Sequence, residues 1–459
     1  MHTDGRDPFR LLVVASPGTE STVADVFQRL HDAGLELVFA AGRRGHQIPD
    51  SLSALPRVTV ASVPLEREGP EAKTMRTFRH AANVMRFLDP NMDGGSWART
   101  ALMKTVLEKV KHPDPEAPVS IELPEPMWRR LTTLTRNLEH LLPPHPELES
   151  AIRELRPDAV LLMSRIGKNS VELDVLKVAR RLGVPSVLLV WSWDNLTSKA
   201  VLSEHPDHLL VWNDVMAWEA EVYHGVDPER IELVGAALFD PFFELVQSVP
   251  PTEPAQSSLL YLGSSPYASD DESAICDEWI AAVRGSADPA LASARIAVRP
   301  HPADHSWDGW TPPDDRVALH PSRKGEGENL LEQIRAASIV VGLNTSGEIE
   351  AAIAGRPVVT FRAGKRADGQ EGALHFEYLL EEHGGFVIDS ADLDEHVRNL
   401  SRVLRSDWDP ERTRRFLERF LRPAGLAEPV CPLVAAKVLE LVGQRSPALR
   451  STSAPSGVS

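Results

Sequence analysis

Short runs of β-branched and other apolar residues alternate with longer stretches of helical period through most of the chain. That is the pattern of a parallel sheet whose strands are joined by crossover helices. In the first half the predicted strands are Leu11–Ala15, Leu35–Ala41, Val58–Val63, Ala159–Met163, Ser186–Trp191 and Leu209–Trp212. The stretch Val23–Ala33 reads as a helix closed by Gly34, and Val171–Leu182 as one closed by Gly183; glycine takes the left-handed position after a helix without strain. Between Pro64 and Ser150 the alternation lapses, and amphipathic helices are predicted around Ala72–Leu88, Trp97–Lys111 and Met127–Leu142. This reads as a helical insertion, residues 64–150, within a first domain of residues 1–247. Residues 248–257 (SVPPTEPAQS) are proline-rich, polar and aperiodic, the composition of a linker. A second series of strands follows at Leu259–Leu262, Arg295–Arg299, Val317–Leu319, Ile339–Gly342, Val358–Phe361 and Phe386–Ile388, with a helical stretch Trp408–Val442. Residues 258–444 are thus expected to form a second domain, and the Ser/Pro-rich residues 445–459 a disordered tail. The fold class expected is α/β, with two doubly wound, Rossmann-like parallel-sheet domains facing across a cleft. Open α/β sheets bind ligands outside the carboxyl ends of their strands, so that cleft is the expected site.

Composition narrows the partners. The 459 residues include 49 Lys and Arg against 66 Asp and Glu, a formal charge of -17, which argues against nucleic acid as the main partner. Two cysteines, Cys276 and Cys431, build no disulfide framework and match no metal spacing; Cys276, in the apolar-periodic segment AICDEWIAAV, reads as a small core residue rather than a nucleophile, and no metal is expected. No stretch approaches the ~20 apolar residues that span a bilayer, and Leu11–Ala15 is too short for a signal peptide's hydrophobic region. The expectation is a cytoplasmic protein.

The most informative segment is Ile339–Thr360, IVVGLNTSGEIEAAIAGRPVVT. A buried strand ends at Gly342, the turn Asn344-Thr345-Ser346-Gly347 leads into a helix, and Pro357 opens the next strand. A helix start preceded by small residues exposes N–H groups and the positive end of the helix dipole, a site for a diphosphate. Thr345 and Glu348 fit a capping box, which makes Glu348 structural; Glu350 points elsewhere and can accept from the two hydroxyls of a ribose. The bland alternative is an ordinary βαβ unit with a good cap. Glu350-Ala351 followed by Gly355-Arg356-Pro357 resembles the nucleotide-binding signature of the GT-B superfamily. That superfamily includes nucleotide-sugar glycosyltransferases, non-hydrolysing UDP-N-acetylglucosamine 2-epimerases and CDP-glycerol glycerophosphotransferases. The resemblance implies ribose binding by Glu350 and phosphate contacts from Thr345, Ser346 and Gly347.

Two more segments add candidates. Arg299-Pro300-His301-Pro302 follows a strand and resembles the Arg-x-His-Pro element of the glycerophosphotransferase and capsule-type members. Arginine offers a fork for phosphate, and histidine can donate to a phosphate oxygen or protonate a leaving group. The alternative is a surface ion pair for Arg299 and a loop cap for His301. The loop Trp191-Ser192-Trp193-Asp194-Asn195-Leu196-Thr197-Ser198-Lys199 places polar groups beside two indoles, a surface for a sugar or nucleotide. With Leu210–Asn213 and Val234–Asp240 it resembles a group of bacterial surface-polysaccharide glycosyltransferases. Trp193 and Asn195 are then substrate-binding candidates and Asp194 a candidate base; alternatively Asp194 folds its loop as an Asx-turn.

In the first βα loop, Glu20 is a second candidate base, against the plainer reading that Thr19 or Ser21 caps the next helix. His375 is a candidate cleft residue or a core histidine. Lys73, Arg76, Arg79 and Arg86 give one predicted helix a basic face, which would suit a peripheral contact with a membrane or simply be solvated. The combined expectation is an enzyme without a cofactor. It would move a sugar from a nucleotide-sugar donor to a carbohydrate or lipid-linked acceptor in surface-polysaccharide or glycoconjugate synthesis, without a bound metal. A 2-epimerase, a glycerophosphotransferase and a non-catalytic nucleotide-sugar-binding protein are the alternatives.

Overall fold

The computed structural model describes residues 8–16, 18–42, 48–88, 124–164, 166, 171–250, 257–266, 268–269, 271–322, 327–367, 370 and 372–443. The expected helix Trp97–Lys111, linker residues 251–256 and the tail 445–459 lie outside the described residues. The described residues of 8–88, 124–240 and 420–443 form one compact unit, and those of 241–419 a second.

The first unit is built on seven parallel strands: β1 Arg10–Ala15, β2 Glu36–Ala41, β3 Val58–Ser62, β4 Ala159–Ser164, β5 Ser186–Val190, β6 His208–Val211 and β7 Ile231–Leu233. Their order in the sheet is β3-β2-β1-β4-β5-β6-β7. Strand β5, SVLLV, is buried at every residue, as expected where helices cover both faces of a parallel sheet. The edge strand β3 is mostly exposed. Helices α1 Ala24–Asp32, α2 Gly69–Leu88, α3 Glu125–Leu141, α4 Pro146–Leu155, α5 Val171–Leu182 and α6 Asp214–His224 pack around it. Gly34 (φ 100°) and Gly183 (φ 69°) end α1 and α5 in the left-handed region, as their sequence positions predict. Strand β7 has no counterpart in the sequence reading. It is three residues long, lies at the sheet edge and leaves Leu233 51% exposed, so it has neither length nor alternation to reveal it.

The second unit has six parallel strands: β8 Ser258–Leu262, β9 Arg295–Arg299, β10 Val317–Leu319, β11 Ile339–Gly342, β12 Val358–Val359 and β13 Val387–Ile388. They are ordered β10-β9-β8-β11-β12-β13, with Val341 level with Tyr261 on β8 and Val359 on β12. Helices α7 Glu272–Arg284, α8 Gly327–Ala336, α9 Ser346–Ile353, α10 Leu393–Leu404 and α11 Pro410–Phe420 follow. The core gathers Tyr261, Trp279, Val298, Val341 and Phe361, and Cys276 is part of it. Both units are therefore doubly wound α/β sheets, the fold class read from the sequence.

The last helix, α12 Val430–Gly443, does not continue the second unit, although residues 258–444 read as one domain. Val430, Val434, Val438, Leu441 and Val442 lie in the first unit's core, with Cys431 beside them. Two anchors hold the returning segment. The Asp240 carboxylate accepts from Arg422 at 2.5 Å and from the Cys431 N–H at 2.6 Å, and the Ala236 N–H donates to the Leu421 carbonyl at 2.8 Å. Gly235 (φ 96°) permits this, because a Cβ there would sit 2.8 Å from that same carbonyl oxygen. The Val234–Asp240 turn is thus the socket for the C-terminal segment.

Candidate functional site

In the second unit the strand order reverses between β8 and β11, and such a switch point opens a crevice at the carboxyl ends of the strands. Gly263 follows β8 there. A Cβ on it would lie 2.8 Å from the His301 nitrogen and 2.9 Å from Pro300 Cα, so only glycine lets the loops after β8 and β9 touch. On the other side, α9 starts with the capping box read from the sequence. The Thr345 hydroxyl accepts from the Gly347 N–H, and the Glu348 carboxylate accepts from the Thr345 N–H at 2.9 Å. Asn344 stands at φ 153°, a conformation costly for any side chain. At this edge Ser346 is exposed and Thr345 half-buried.

Two carboxyls are enclosed behind that turn. Glu348 is fully buried, and burial pushes its carboxyl up to about 8, against the Thr345 N–H and assisted by the charge of Glu272. Glu272, the first residue of α7, is pushed up to about 7, again chiefly by burial, although it accepts from the Ser264 N–H at 2.7 Å and the Tyr261 hydroxyl at 3.1 Å. Asp271 caps the start of α7 itself, accepting the Ala274 N–H at 3.3 Å, which leaves the α9 turn as the helix start to weigh for an anion. Protonated near neutral pH, Glu348 adds little negative charge beside it. Neither Gly263 nor Glu272 was singled out from the sequence. The available signal was Leu262-Gly263-Ser264-Ser265 directly after a strand.

Arg299 ends β9 and is buried, donating to Asn329 Oδ1 at 3.0 Å and Gln333 Oε1 at 3.1 Å, both on α8. It does not sit in a surface ion pair. Glu350 on α9 is half-buried; burial pushes its carboxyl up to about 7, and the nearby Arg299 guanidinium pulls the other way. The structure thus brings together Arg299, Glu350 and the Thr345-Ser346-Gly347 turn. His301 accepts the Ala303 N–H at Nδ1 (3.2 Å), which leaves Nε2 as its N–H donor. Burial lowers its pKa and Asp304 opposes the shift, so the ring donates as a neutral imidazole. His375 lies on a short helix of the same unit, Leu374–Glu377, and is buried. Among the described residues no group of three or more His, Cys, Asp or Glu side chains is placed to hold a metal ion.

The first-unit candidates are built differently. Asp194 pairs with Lys199 at 2.8 Å and accepts from the Ser198 hydroxyl at 3.2 Å, the loop-folding arrangement rather than that of a free base. Asn195 is fully buried, and its Oδ1 accepts the Ser192 N–H at 2.6 Å. Trp193 is only 8% exposed, so its indole offers no open face for a sugar. Glu20 is buried too, in the short helix Thr19–Thr22. The expected cap is absent there: Ser21 and Thr22 hydroxyls donate back to the Gly18 carbonyl instead of accepting helix N–H groups.

The basic face expected on α2 is divided between two roles. Lys73 and Arg76 are exposed, whereas Arg79 and Arg86 are each 4% exposed. Arg86 donates to the carbonyls of Thr197 (2.8 Å) and Lys199 (3.0 Å), so the insertion holds the Trp-Asp-Asn loop from behind. His224 supports it: Nδ1 accepts the Leu202 N–H at 2.9 Å, and Nε2–H donates to the Leu196 carbonyl at 2.8 Å. Burial lowers the Arg86 pKa to about 10, with Glu219 opposing. Arg86→Met should cost about 2–4 kcal/mol by leaving those carbonyls unpaired. Hydrogen exchange should rise first at Val201 and Leu202; unchanged protection there would show that the loop stands without Arg86.

No protein-family model matches the chain, and no curated protein matches it. Among solved structures it is similar to the Methanocaldococcus jannaschii UDP-GlcNAc 2-epimerase in complex with UDP-GlcNAc and UDP, at 11% identity and a TM-score of 0.49, covering 94% of this chain and 99% of that one. Acinetobacter baumannii MurG is similar at 11% identity and a TM-score of 0.45, over 95% of this chain and 100% of that one. A UDP-glucosyltransferase from Polygonum tinctorium is similar at 12% identity and a TM-score of 0.46, over 95% and 99%. These likenesses assign no role to any residue here. Among the described residues no helix is long and apolar enough to cross a membrane.

Proposed function

We propose that the chain is a GT-B-type glycosyltransferase that moves a sugar from a nucleotide-sugar donor to a carbohydrate or lipid-linked acceptor. One observation carries this reading. Arg299 and the half-buried Glu350 lie near each other at a sheet switch point, on the side where the strained Asn344 leads into the Thr345-Ser346-Gly347 turn and Ser346 is exposed. Each group has a task in that chemistry. Glu350, once ionised, accepts from the two ribose hydroxyls. The acceptor hydroxyl oxygen bonds to the sugar carbon and gives up its proton to solvent as the sugar–phosphate C–O bond breaks, and the departing nucleoside diphosphate gains negative charge. Arg299, the α9 start and the His301 Nε2–H can meet that charge, an electrostatic contribution on the order of 3 kcal/mol per donor.

Glu350→Ala should weaken binding of a nucleoside diphosphate by about ten-fold or more, since hydrogen bonds to a charged group contribute roughly 1.5–3 kcal/mol. The carboxyl ionises at about 7, so affinity should also strengthen between pH 6 and 8 more in the parent than in the variant. Calorimetry at both pH values reads this; equal affinities with parallel pH profiles would remove Glu350 from the site. Product analysis decides the reaction. Donor converted to an isomeric nucleotide sugar without any acceptor would assign an epimerase instead.

A further inference from the structure

The second unit has another concave surface, on the opposite edge of its sheet. The strands are all parallel, and Gly384 and Gly385 lead into the amino end of β13, whereas the candidate site lies at carboxyl ends. A cavity of about 350 Å³ is lined there by Glu381, Gly384, Arg412, Arg415, Phe416 and Arg419. The positions 412, 415, 416 and 419 form one face of α11. That helix sorts its charges. Arg414, on its other side, takes both glutamates of the helix, Glu411 at 2.8 Å and Glu418 at 3.2 Å. The cavity face keeps three arginines against two carboxylates, Glu381 at 3.1 Å from Arg412 and Asp409 at 3.3 Å from Arg415. Arg419 is exposed and has no ion-pair or hydrogen-bond partner among the described residues. Phe416 packs on Phe386 with ring centroids 5.0 Å apart and fixes the floor. Gly384 (φ 84°) has open space where a side chain would project.

A solvated charge stripe on a helix mixes signs or faces bulk water; this one is segregated and lines a cavity, in a chain of net charge -17. We propose that the cavity binds a phosphoryl group carrying at least two negative charges, held by the guanidinium forks of Arg415 and Arg419 with Arg412 beside them. Arginine matches phosphate geometry with paired donors. The Arg415–Asp409 pair is exposed and contributes little, so a dianion can displace it, while Arg412 stays half-buried against Glu381. This site does not depend on the transferase reading.

Calorimetric titration of the full chain with pyrophosphate tests it, in an Arg299→Ala background that disables the candidate nucleotide site. Saturable binding should persist there and weaken at least ten-fold on adding Arg415→Ala with Arg419→Ala, at an unchanged melting temperature. The Arg415→Lys, Arg419→Lys pair should also bind less tightly, because it keeps charge and loses the fork. Absence of saturable binding in that background, or equal binding by the alanine or lysine pair, overturns the proposal. Vesicles containing phosphatidic acid separate the ligand's sources. Cosedimentation abolished by the alanine pair assigns a lipid phosphomonoester, and pyrophosphate binding without cosedimentation a soluble ligand.

Discussion

Arg299→Ala should lower turnover of a nucleotide-diphosphate donor by about 10²- to 10³-fold, the loss typical when one preorganised donor to a developing oxyanion is removed. Stability should fall less. Asn329 and Gln333 lose a charged donor, but both sit on α8 near the surface, where the replacement cost is roughly 1–2 kcal/mol. The variant also removes the cation that opposes the burial of Glu350, so the Glu350 carboxyl should move further up and ribose affinity fall at neutral pH. Arg299→Lys separates the two effects: it keeps a positive charge near Glu350 and loses the paired donors. Lysine should restore diphosphate affinity more than turnover. Full activity in Arg299→Ala, measured as kcat and KM with matched melting curves, would take Arg299 out of the reaction altogether.

The doubly wound sheets were legible because a parallel strand buried on both faces is an almost unbroken apolar run, as in Val187–Val190 and Ile339–Val341, and because Gly34 and Gly183 punctuate the helices. The Thr345–Glu348 capping box was legible for the same reason: its signal is local. What escaped was long-range. That α12 belongs to the first unit depends on Asp240 reaching Arg422 and the Cys431 N–H across about 180 residues of sequence, and no periodicity encodes that. Polar residues after strands also looked alike in sequence. Asp194 and Asn195 are committed to Lys199 and to Ser192, whereas Arg299 donates to the neutral amides Asn329 and Gln333 of α8 and acts electrostatically on Glu350. The basic face of α2 misled because charge on an amphipathic pattern normally means solvent; Arg79 and Arg86 turn inward to partners 60 or more residues away.

Those inward partners set the largest expected change in stability. Three cations, Arg67, Arg79 and Lys177, share two carboxylates, Glu139 and Asp174, inside the first unit. Arg79 lies 2.8 Å from Glu139 and 3.0 Å from Asp174, Lys177 2.6 Å from Glu139, and Arg67 2.9 Å from Asp174. Burial works against both carboxylates and against Lys177. The cations overcome it and hold Glu139 and Asp174 below their ordinary values, while the Lys177 pKa stays lowered by burial, as an excess of cations requires. Removing a cation and removing an anion are therefore not equivalent. Arg79→Met leaves two intact one-to-one pairs, Arg67–Asp174 and Lys177–Glu139, and should cost about 1–2 kcal/mol. Glu139→Gln leaves three buried cations to one carboxylate and should cost about 3–5 kcal/mol, the loss expected when a buried charge is stripped of its partner. At roughly 2–4 °C per kcal/mol for a unit of this size, the glutamine variant should melt on the order of 10 °C lower. The pH dependence follows the same sign. Both carboxyls have lowered folded values, so their stabilisation is present above the ordinary carboxyl range and is lost as pH falls through those folded values. The acid side of the melting profile should flatten in Glu139→Gln. Should Arg79→Met prove as damaging as Glu139→Gln, charge balance is not what holds the insertion to α5, and shape alone must do so.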